Sequence, residues 1–283
     1  MPLIGLAHLT LLRLSPPELV DTAARAGYDF VGVRVKPVTA GEHQYPMQPG
    51  SPMSRDTLQR LDDTGLEVRD VEFLALGPNT GPEDWKPALD AGAALGARTI
   101  SVVGTDPDRT RLGDTLAALT ADAEPLGLTP TLEPISYQPV STVPEAAQLA
   151  GAAGAAVLVD ALHVRRGGST SEQVRALPPR LVPCLQLCDA PLAAPEHLDL
   201  PAELPLGMNA EGSVLHVESR AQRRTVGEGE LPLAELVAAA PLGTPLSVEV
   251  PDATAQARLS SLDVAAYNLR AVRNLLDEER DHD

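Results

Sequence analysis

The sequence predicts an α/β protein that folds as a single (β/α)8 barrel of the TIM type. Eight short runs rich in Val, Leu and Ile alternate with amphipathic, helix-like stretches along the 283 residues. This length accommodates one barrel of eight β/α units. The Gly-x-Gly-x-x-Gly fingerprint of a doubly wound open sheet is missing after the first run. The barrel is therefore favoured over the open sheet.

The predicted strands follow one another at intervals typical of β/α units. They lie near residues 3–8, 29–35, 67–73, 98–103, 128–134, 155–160, 181–187 and 245–250. Between them, helices begin at recognisable signals: Ser15 precedes a first-turn proline, and Thr142 with Glu145 fits a capping box. Apolar residues at near-helical spacing predict a final helix over 260–278.

Two connections and the end of the chain depart from this regular pattern. The segment 37–53 is rich in Pro and Gly, and 189–231 separates the seventh strand from its helix. Loops this long in a compact domain are usually functional or mobile, and both follow strands, so we expect them at the mouth of the barrel. We expect the barrel to cover residues 1–275 and an acidic, disordered tail to cover 276–283.

Charge and cysteine content restrict the possible partners. The net charge of −17 disfavours a nucleic-acid backbone or an anionic membrane, which both attract clustered Lys and Arg. No apolar run approaches the ~18 residues of a membrane span, so we expect a cytoplasmic protein that acts on a small molecule. The sequence allows a homo-oligomer. Cys184 and Cys188 are too close along an extended strand to bridge, so we expect reduced packing residues.

Four strands in the second half of the chain end in an oxygen-bearing side chain. These residues are Glu133, Asp160, Gln186 and Glu249. Such side chains are costly to bury, but the carboxyl ends of parallel barrel strands converge, so the pattern favours one shared cation. An all-oxygen set with open positions suits Mn²⁺, Mg²⁺ or Co²⁺, and zinc is also compatible. We predict one divalent metal ion held by these four residues.

Other polar side chains lie near the predicted mouth. His163 follows the strand that ends at Asp160, where a turn could direct its imidazole at a ligand of the metal. Strand alternation directs Arg34 and Glu72 inward as candidate substrate-binding residues, although a structural pair between them is an alternative. His8 ends the first strand and is a further predicted pocket residue.

Five motifs occur along the chain in the order found in a known family. They are Leu-Glu133-Pro, Val-Asp160-Ala-Leu-His163, Leu-Gln186-Leu-Cys-Asp189-Ala-Pro, Arg223-Arg-Thr-Val-Gly227-Glu-Gly-Glu-Leu and Ser-Val-Glu249-Val. Over residues 1–275 the sequence resembles the sugar isomerase/epimerase group of xylose-isomerase-like barrels. That group includes hydroxypyruvate isomerases, ketose 3-epimerases, inosose-processing enzymes and 3-dehydroshikimate dehydratases. The resemblance implies that the four strand-end residues hold the metal, that His163 binds a substrate oxygen, and that Arg223 or Arg224 contacts the substrate.

Two positions depart from the usual pattern of the group. Many epimerases have His in place of Gln186, whereas the hydroxypyruvate isomerase-like and dehydratase-like branches often have Gln. Val226 stands where the family usually has Pro. The choice between Arg223 and Arg224 as the residue that faces the pocket is therefore left open.

The predicted site supports proton transfer next to a carbonyl group. A divalent cation bound by a carbonyl and a neighbouring hydroxyl would acidify the adjacent C–H and stabilise an enediolate. Glu133 and Glu249 could then remove and return the proton. We predict a metal-dependent isomerase or epimerase of a small, unphosphorylated polyhydroxylated carbonyl compound, either sugar-like or a cyclic polyol. The alternative is a 3-dehydroshikimate dehydratase-like lyase with the same metal site.

Three other functions fit the sequence less well. An abasic-site endonuclease shares this barrel, but the acidic balance and the few strand-end histidines oppose it. A catalytically idle sugar-binding homologue would not need the whole set of polar residues. A Schiff-base aldolase would have to use Lys36, the one lysine near a strand end.

Overall fold

The strands of this computed structural model, which describes residues 1–37, 42–209 and 211–280, form one parallel sheet. They are β1 (Ile4–Leu6), β2 (Phe30–Arg34), β3 (Glu67–Leu76), β4 (Thr99–Gly104), β5 (Thr129–Glu133), β6 (Ala156–Val157), β7 (Val159–Asp160), β8 (Leu185–Leu187) and β9 (Leu246–Val248).

Helices follow the strands along the described chain. They are α1 (Pro16–Ala26), α2 (Pro52–Thr64), α3 (Pro82–Ala94), α4 (Arg109–Ala123), α5 (Val143–Ala153), α6 (Ala161–Arg166), α7 (Ser171–Arg175), α8 (Val214–Ala221), α9 (Leu233–Ala239), α10 (Ala253–Arg258) and α11 (Ser261–Arg280). Short 3₁₀ helices span His8–Leu11, Glu124–Leu126 and Pro179–Leu181.

The sheet closes because one strand is divided into two pieces. The hydrogen-bonded order is β6-β5-β4-β3-β2-β1-β9-β8-β7, and β6 and β7 are consecutive pieces interrupted only at Leu158. This segment pairs with β5 on one side and β8 on the other, so it joins the two edges of the sheet. The result is an eight-stranded (β/α)8 barrel, as predicted. Each predicted strand run overlaps an observed strand, and the run 155–160 contains both β6 and β7.

The core lies between the strands and the surrounding helices. Leu6, Val31 and Leu132 from the strands are fully buried in the same apolar cluster as Leu19 of α1 and Val272 of α11. Each buried side chain of this size contributes about 1.5–3 kcal/mol relative to an exposed one. The apolar strand runs are thus explained by burial against helices, which leaves the strand ends free to carry polar groups.

The predicted helix starts are confirmed by their hydrogen bonds. The backbone N–H of Ser15 donates to Glu18 Oε2 at 2.8 Å, which closes a capping box at the start of α1. The backbone N–H of Thr142 donates to Glu145 Oε2 at 3.1 Å at the start of α5. Both helices begin at the predicted residues because these side chains satisfy backbone groups that have no partner within the helix.

Three segments differ from the expectation or extend it. The last helix continues to Arg280, so residues 276–280 are helical rather than part of a disordered tail, and 281–283 lie outside the described residues. The segment 189–231 contains α8 and is not a continuous loop. In 37–53, residues 38–41 lie outside the described part of the chain. None of the described helices combines the length and hydropathy that a membrane span requires.

Candidate active site

The four predicted metal ligands lie at the carboxyl ends of the second-half strands. Glu133 and Asp160 are the last residues of β5 and β7, Gln186 lies within β8, and Glu249 directly follows β9. All four are at least nine-tenths buried. Glu133, Gln186 and Glu249 line a cavity of about 260 Å³ at this end of the barrel. The parallel strand register therefore brings together residues that are far apart in sequence.

Arg223 lies between two of these carboxylates. Its Nη1 is 2.5 Å from Asp160 Oδ2, and its Nη2 is 3.0 Å from Glu249 Oε2. Its Nε donates to the backbone carbonyl of Ser219 at 2.8 Å, and the side chain is only 2 % exposed. Arg224 is exposed, and its Nη1 donates to the backbone oxygen of Glu228. The structure therefore directs Arg223, and not Arg224, into the site.

A second group joins Asp160 to Glu133 through a histidine. Glu133, Asp160 and His163 offer ligand atoms that all lie within 4.8 Å of one another. Asp160 Oδ1 accepts a hydrogen bond from the backbone N–H of His163 at 2.9 Å. Among the described residues, Glu249 is not part of this group, and its Oε2 is bound by the guanidinium of Arg223. The nitrogen of His163 is thus a possible ligand in addition to the four predicted oxygens.

The ring of His163 is placed so that one nitrogen faces the carboxylates. Its Nδ1 lies 3.2 Å from Ser136 Oγ, and its Nε2 lies 3.9 Å from Glu133 Oε1. Burial lowers the pKa of His163 to about 4, so the imidazole is neutral at pH 7. A neutral imidazole can accept a hydrogen bond from a ligand hydroxyl or bind a metal.

The buried donor set carries unbalanced charge and an unpaired oxygen. Burial, together with the negative charges of Glu249 and Asp160, raises the pKa of Glu133 well above its ordinary value. Burial also raises the pKa of Glu249 to about 8. Gln186 Nε2 donates to Glu249 Oε1 at 2.7 Å, while Gln186 Oε1 is buried without a hydrogen-bond partner among the described residues. These features fit a divalent cation, because it would balance the carboxylates and accept the amide oxygen as a ligand.

Arg34 and Glu72 line the same cavity and form the predicted pair. Arg34 Nη2 lies 3.4 Å from Glu72 Oε2, and Arg34 Nη1 lies 3.8 Å from Glu42 Oε2. Arg34 Nε and Glu72 Oε2 are buried and lack hydrogen bonds within the described chain. The pair therefore combines the structural contact with a donor and an acceptor that remain available to a ligand.

His8 does not line the cavity, in contrast to the prediction that it is a pocket residue. Its Nδ1 accepts a hydrogen bond from the backbone N–H of Arg34 at 2.9 Å, and its Nε2 lies 2.9 Å from the carbonyl of Leu14. Its backbone N–H donates to Glu72 Oε1 at 3.0 Å. Both ring nitrogens are thus used by the backbone, and His8 holds Arg34 and Glu72 in position. Lys36 donates to the carbonyl of Asp84 and does not line the cavity either.

Asp189 connects the two loop motifs that surround Arg223. Its Oδ1 accepts hydrogen bonds from the backbone N–H groups of Ala190 and Leu231, and its Oδ2 accepts one from Gly227. Its backbone also exchanges two 2.8 Å hydrogen bonds with that of Arg224. This pairing fixes which of the two neighbouring arginines faces inward. A side chain at Gly229 would overlap Asp189 and Ala190, which explains the glycine in the motif.

Several residues of the cavity wall were not among the predicted site residues. They are Tyr137, Gln138, Asn209 and Arg220, from the loop after β5 and from the segment that contains α8. Tyr137 Oη lies 2.7 Å from Ser219 Oγ, and its ring stacks on His216 with 3.8 Å between centroids. The sequence signal that could have identified these residues is their position, because both segments follow strands whose carboxyl ends form the site.

Comparison with known proteins agrees with this architecture. The model of the xylose isomerase-like TIM barrel family matches residues 20–275. The chain belongs to this family. No curated protein sequence matches it significantly. The match covers all four predicted metal ligands and the loop motifs around Arg223.

Solved structures share the fold at low sequence identity. A xylose isomerase-like TIM barrel/4-hydroxyphenylpyruvate dioxygenase fusion protein is 22% identical with a TM-score of 0.77, over 99% of this chain and 43% of that one. This member of the family therefore spans less than half the length of the fusion protein. The IolI protein with a bound zinc atom is 15% identical with a TM-score of 0.72, over 98% of this chain and 99% of that one.

Two further structures of the same fold carry named activities. D-allulose 3-epimerase from Methylomonas sp., in complex with D-allulose, is 16% identical with a TM-score of 0.66, over 96% of both chains. The probable 3-DHS dehydratase AsbF from Bacillus anthracis is 14% identical with a TM-score of 0.70, over 95% of this chain and 98% of that one. At these identities the likeness shows the shared barrel.

Proposed function

We propose that this protein is a divalent-metal-dependent isomerase or epimerase of a small, unphosphorylated polyhydroxylated carbonyl compound. The buried donor set carries the proposal. Glu133, Asp160 and Glu249 converge, and Arg223 pairs with the last two of them. Gln186 Oε1 lacks a hydrogen-bond partner within the described residues. When all three carboxylates are deprotonated, as metal ligands must be, they and one guanidinium leave two excess negative charges, the charge that a divalent cation would balance.

The ion would be held by the four strand-end residues, with His163 as a further candidate ligand. An oxygen-rich set suits Mn²⁺, Mg²⁺ or Co²⁺, and the imidazole also admits zinc, the metal bound in the similar IolI structure. When bound, such a cation would polarise a substrate carbonyl and make the neighbouring C–H more acidic.

The two glutamates would move the substrate proton. Both oxygens of Glu249 are engaged, one by Gln186 and one by Arg223. The carboxylate of Glu133 accepts no hydrogen bond from any described residue, and the neutral imidazole of His163 lies 3.9 Å from its Oε1. Glu133 is therefore the less restrained carboxylate and the stronger candidate for the base, and Glu249 would return the proton from the other side of the cavity.

Other residues of the cavity would bind and orient the substrate. Arg34 Nε and Glu72 Oε2 offer a buried donor and a buried acceptor to substrate hydroxyls. The apolar side chains of Val103, Ile135 and Leu158 complete the wall and limit access of water to the reacting carbon. The cavity of about 260 Å³ is suited to a small molecule rather than a polymer.

Hydrogen exchange with solvent tests this proposal. The protein is loaded with Mg²⁺, Mn²⁺, Co²⁺ or Zn²⁺ and incubated in D₂O with a panel of ketoses and sugar keto acids that includes 2-keto-D-gluconate. The compounds are examined by NMR after metal removal. We expect deuterium at the carbon next to the carbonyl, and loss of this exchange in Glu133→Gln and Glu249→Gln. Glu172→Gln, at an exposed position on α7, is the matched control and should exchange like the wild type. Exchange that persists in both site variants would remove the two glutamates from proton transfer.

The second candidate is a lyase of the 3-dehydroshikimate dehydratase kind. It is favoured by Gln186 and by the Asp189-Ala-Pro string, which resemble that branch of the family. The same carboxylates would remove a proton next to the carbonyl, and a β-hydroxyl would leave instead of the proton being returned. Incubation with 3-dehydroshikimate distinguishes the two reactions, since a lyase forms a new conjugated ring that is visible by ultraviolet absorbance.

A further inference from the structure

One of the cavity arginines has no acidic partner. Among the described residues, Arg34, Arg220 and Arg223 line the cavity. Arg34 lies within 4.0 Å of two carboxylates, and so does Arg223. The guanidinium of Arg220 forms neither an ion pair nor a hydrogen bond with any part of the described chain. In a protein with 39 acidic and 22 basic residues, an arginine in a pocket without a neighbouring carboxylate calls for a ligand.

The helix that carries Arg220 is held firmly beside the site. Glu218 of α8 forms two hydrogen bonds with Arg166, at 2.7 and 2.8 Å, and both side chains are buried. The next residue, Ser219, contacts Tyr137 through its hydroxyl and Arg223 through its carbonyl. Because its two preceding residues are fixed in this way, the backbone of Arg220 is pre-organised next to the inner carboxylate cluster.

Neutral side chains that can donate hydrogen bonds line the cavity together with Arg220. Tyr137, Gln138 and Asn209 line the same cavity. Burial and the charge of Arg220 together lower the pKa of His216, which lies one helical turn before it on α8. The amide groups and the guanidinium thus give the cavity hydrogen-bond donors and a positive charge that favour an anion.

We propose that Arg220 binds a carboxylate of the substrate, so that the substrate is a polyhydroxylated keto acid and not a neutral ketose. This inference rests on the proposed function and specifies its substrate class. A planar guanidinium can donate two parallel hydrogen bonds to the oxygens of a carboxylate. A neutral substrate would shield the guanidinium of Arg220 from water without providing a negative charge to pair with it. A phosphate is disfavoured because no lysine lines the cavity in the described chain and Pro251-Asp-Ala-Thr, after β9, lacks the glycines of a barrel phosphate site.

Matched ligand pairs test the proposal by equilibrium binding, independently of turnover. Isothermal titration of the Mg²⁺-loaded protein compares 2-keto-D-gluconate with D-fructose, which differ only in having a carboxylate or a hydroxymethyl group at one end. A second pair is 3-dehydroshikimate and its methyl ester. We expect the acid of at least one pair to bind about tenfold or more tightly than its neutral partner, the range of one charged hydrogen-bonded contact.

Substitutions test whether Arg220 causes the preference for the acid over its neutral partner. Arg220→Gln should reduce the acid-to-neutral ratio to about one, and Arg220→Lys should restore part of it. Arg224→Gln, at an exposed site in the same segment, should keep the wild-type ratio. Circular dichroism confirms that each variant is folded. Absence of a preference for the acid in both pairs, an unchanged ratio in Arg220→Gln, or tighter binding of D-fructose 1-phosphate than of 2-keto-D-gluconate would overturn the proposal.

The binding and exchange experiments separate this inference from the proposed function. A wild-type protein that prefers the acids but exchanges no substrate hydrogen would retain the carboxylate site and contradict the isomerase or epimerase assignment. A protein that exchanges hydrogen with neutral ketoses and shows no acid preference would retain the catalytic proposal and contradict the role of Arg220.

Discussion

Two carboxylates inside the barrel, Asp70 and Glu133, show opposite ways of placing an acid in a protein interior. Asp70 lies on β3 beside a small cavity of about 90 Å³ that also contains Cys184. Its two oxygens accept hydrogen bonds from the hydroxyls of Thr99 and Ser101, at 2.7 and 2.6 Å. Glu133 lies at the end of β5 and accepts no hydrogen bond from any described residue. An acid that is satisfied by hydroxyls needs no ligand, whereas an acid that is crowded by other acids does.

The difference teaches that burial of a charged residue does not by itself indicate function. Both acids have raised pKa values because they are buried. For Asp70 the next contribution comes from Glu72 alone, while for Glu133 it comes from Glu249 and Asp160 together. The functional indication is the convergence of several carboxylates on one point without enough donors to satisfy them.

The largest expected effect follows from removing the one cation bound within the acid cluster. Arg223→Met leaves Asp160 and Glu249 buried without their shared counterion, which should lower the free energy of unfolding of the metal-free protein by about 3–5 kcal/mol. Urea denaturation at pH 8 measures this change, and addition of Mn²⁺ should recover part of it. Arg224→Met is the control and should stay within about 0.5 kcal/mol of the wild type. A loss below 1 kcal/mol in Arg223→Met would show that the cluster is not charged.

Strand-end chemistry was predictable because it depends on one rule. Parallel barrel strands place their carboxyl ends together, so Glu133, Asp160, Gln186 and Glu249 could be grouped from sequence spacing alone. The same rule does not predict the conformation of the long segment 189–231, because that conformation is set by contacts with other parts of the chain. Arg220 lies there, on a helix that the hydrophobic pattern did not reveal.

The orientation of side chains that depend on hydrogen bonds with the backbone was also not predictable from the sequence. His8 has the position of a pocket residue, but its ring nitrogens meet backbone atoms of Leu14 and Arg34, which come close only in the folded barrel. The choice between Arg223 and Arg224 depends on the two hydrogen bonds between the backbones of Asp189 and Arg224. These hydrogen bonds involve main-chain atoms, so the pattern of side chains in the sequence does not predict them.

A smaller effect should separate Asp70 from the acids of the candidate site through the dependence of the free energy of unfolding on pH. Burial raises the pKa of Asp70 from 3.8 to about 7. Between pH 3.8 and about pH 7 the carboxyl of Asp70 is ionised in the unfolded chain but protonated in the folded protein. The free energy of unfolding therefore falls as the pH rises through this window, and the fall is complete above about pH 7. Asp70→Asn has no such loss. Relative to the wild type it should gain about 1–3 kcal/mol between pH 5 and pH 8.

Denaturation curves at pH 5, 6, 7 and 8 measure this gain. Asp62→Asn, at an exposed position on α2, serves as the control and should follow the wild type at every pH. Parallel curves for Asp70→Asn and the wild type would show that Asp70 is ionised in the folded protein, and the contrast with Glu133 would then rest on hydrogen bonds alone.

The smallest effect concerns Glu133 itself and has the opposite sign from most core substitutions. Burial and the charges of Glu249 and Asp160 raise the pKa of Glu133, so at pH 7 the unfolded chain ionises this carboxyl more readily than the folded protein does. Glu133→Gln removes that advantage of the unfolded state, so the metal-free variant should be more stable than the wild type by about 1 kcal/mol at pH 7. Divalent metal should then reverse the order, because a ligand that binds the folded state stabilises it in proportion to its affinity and the variant has lost a charged ligand. Thermal unfolding with and without Mn²⁺ measures both changes. A metal-free Glu133→Gln protein that is less stable than the wild type, or one that Mn²⁺ stabilises as much as it stabilises the wild type, would show that Glu133 is not an unsatisfied metal ligand. The distinction from Asp70 would then fail.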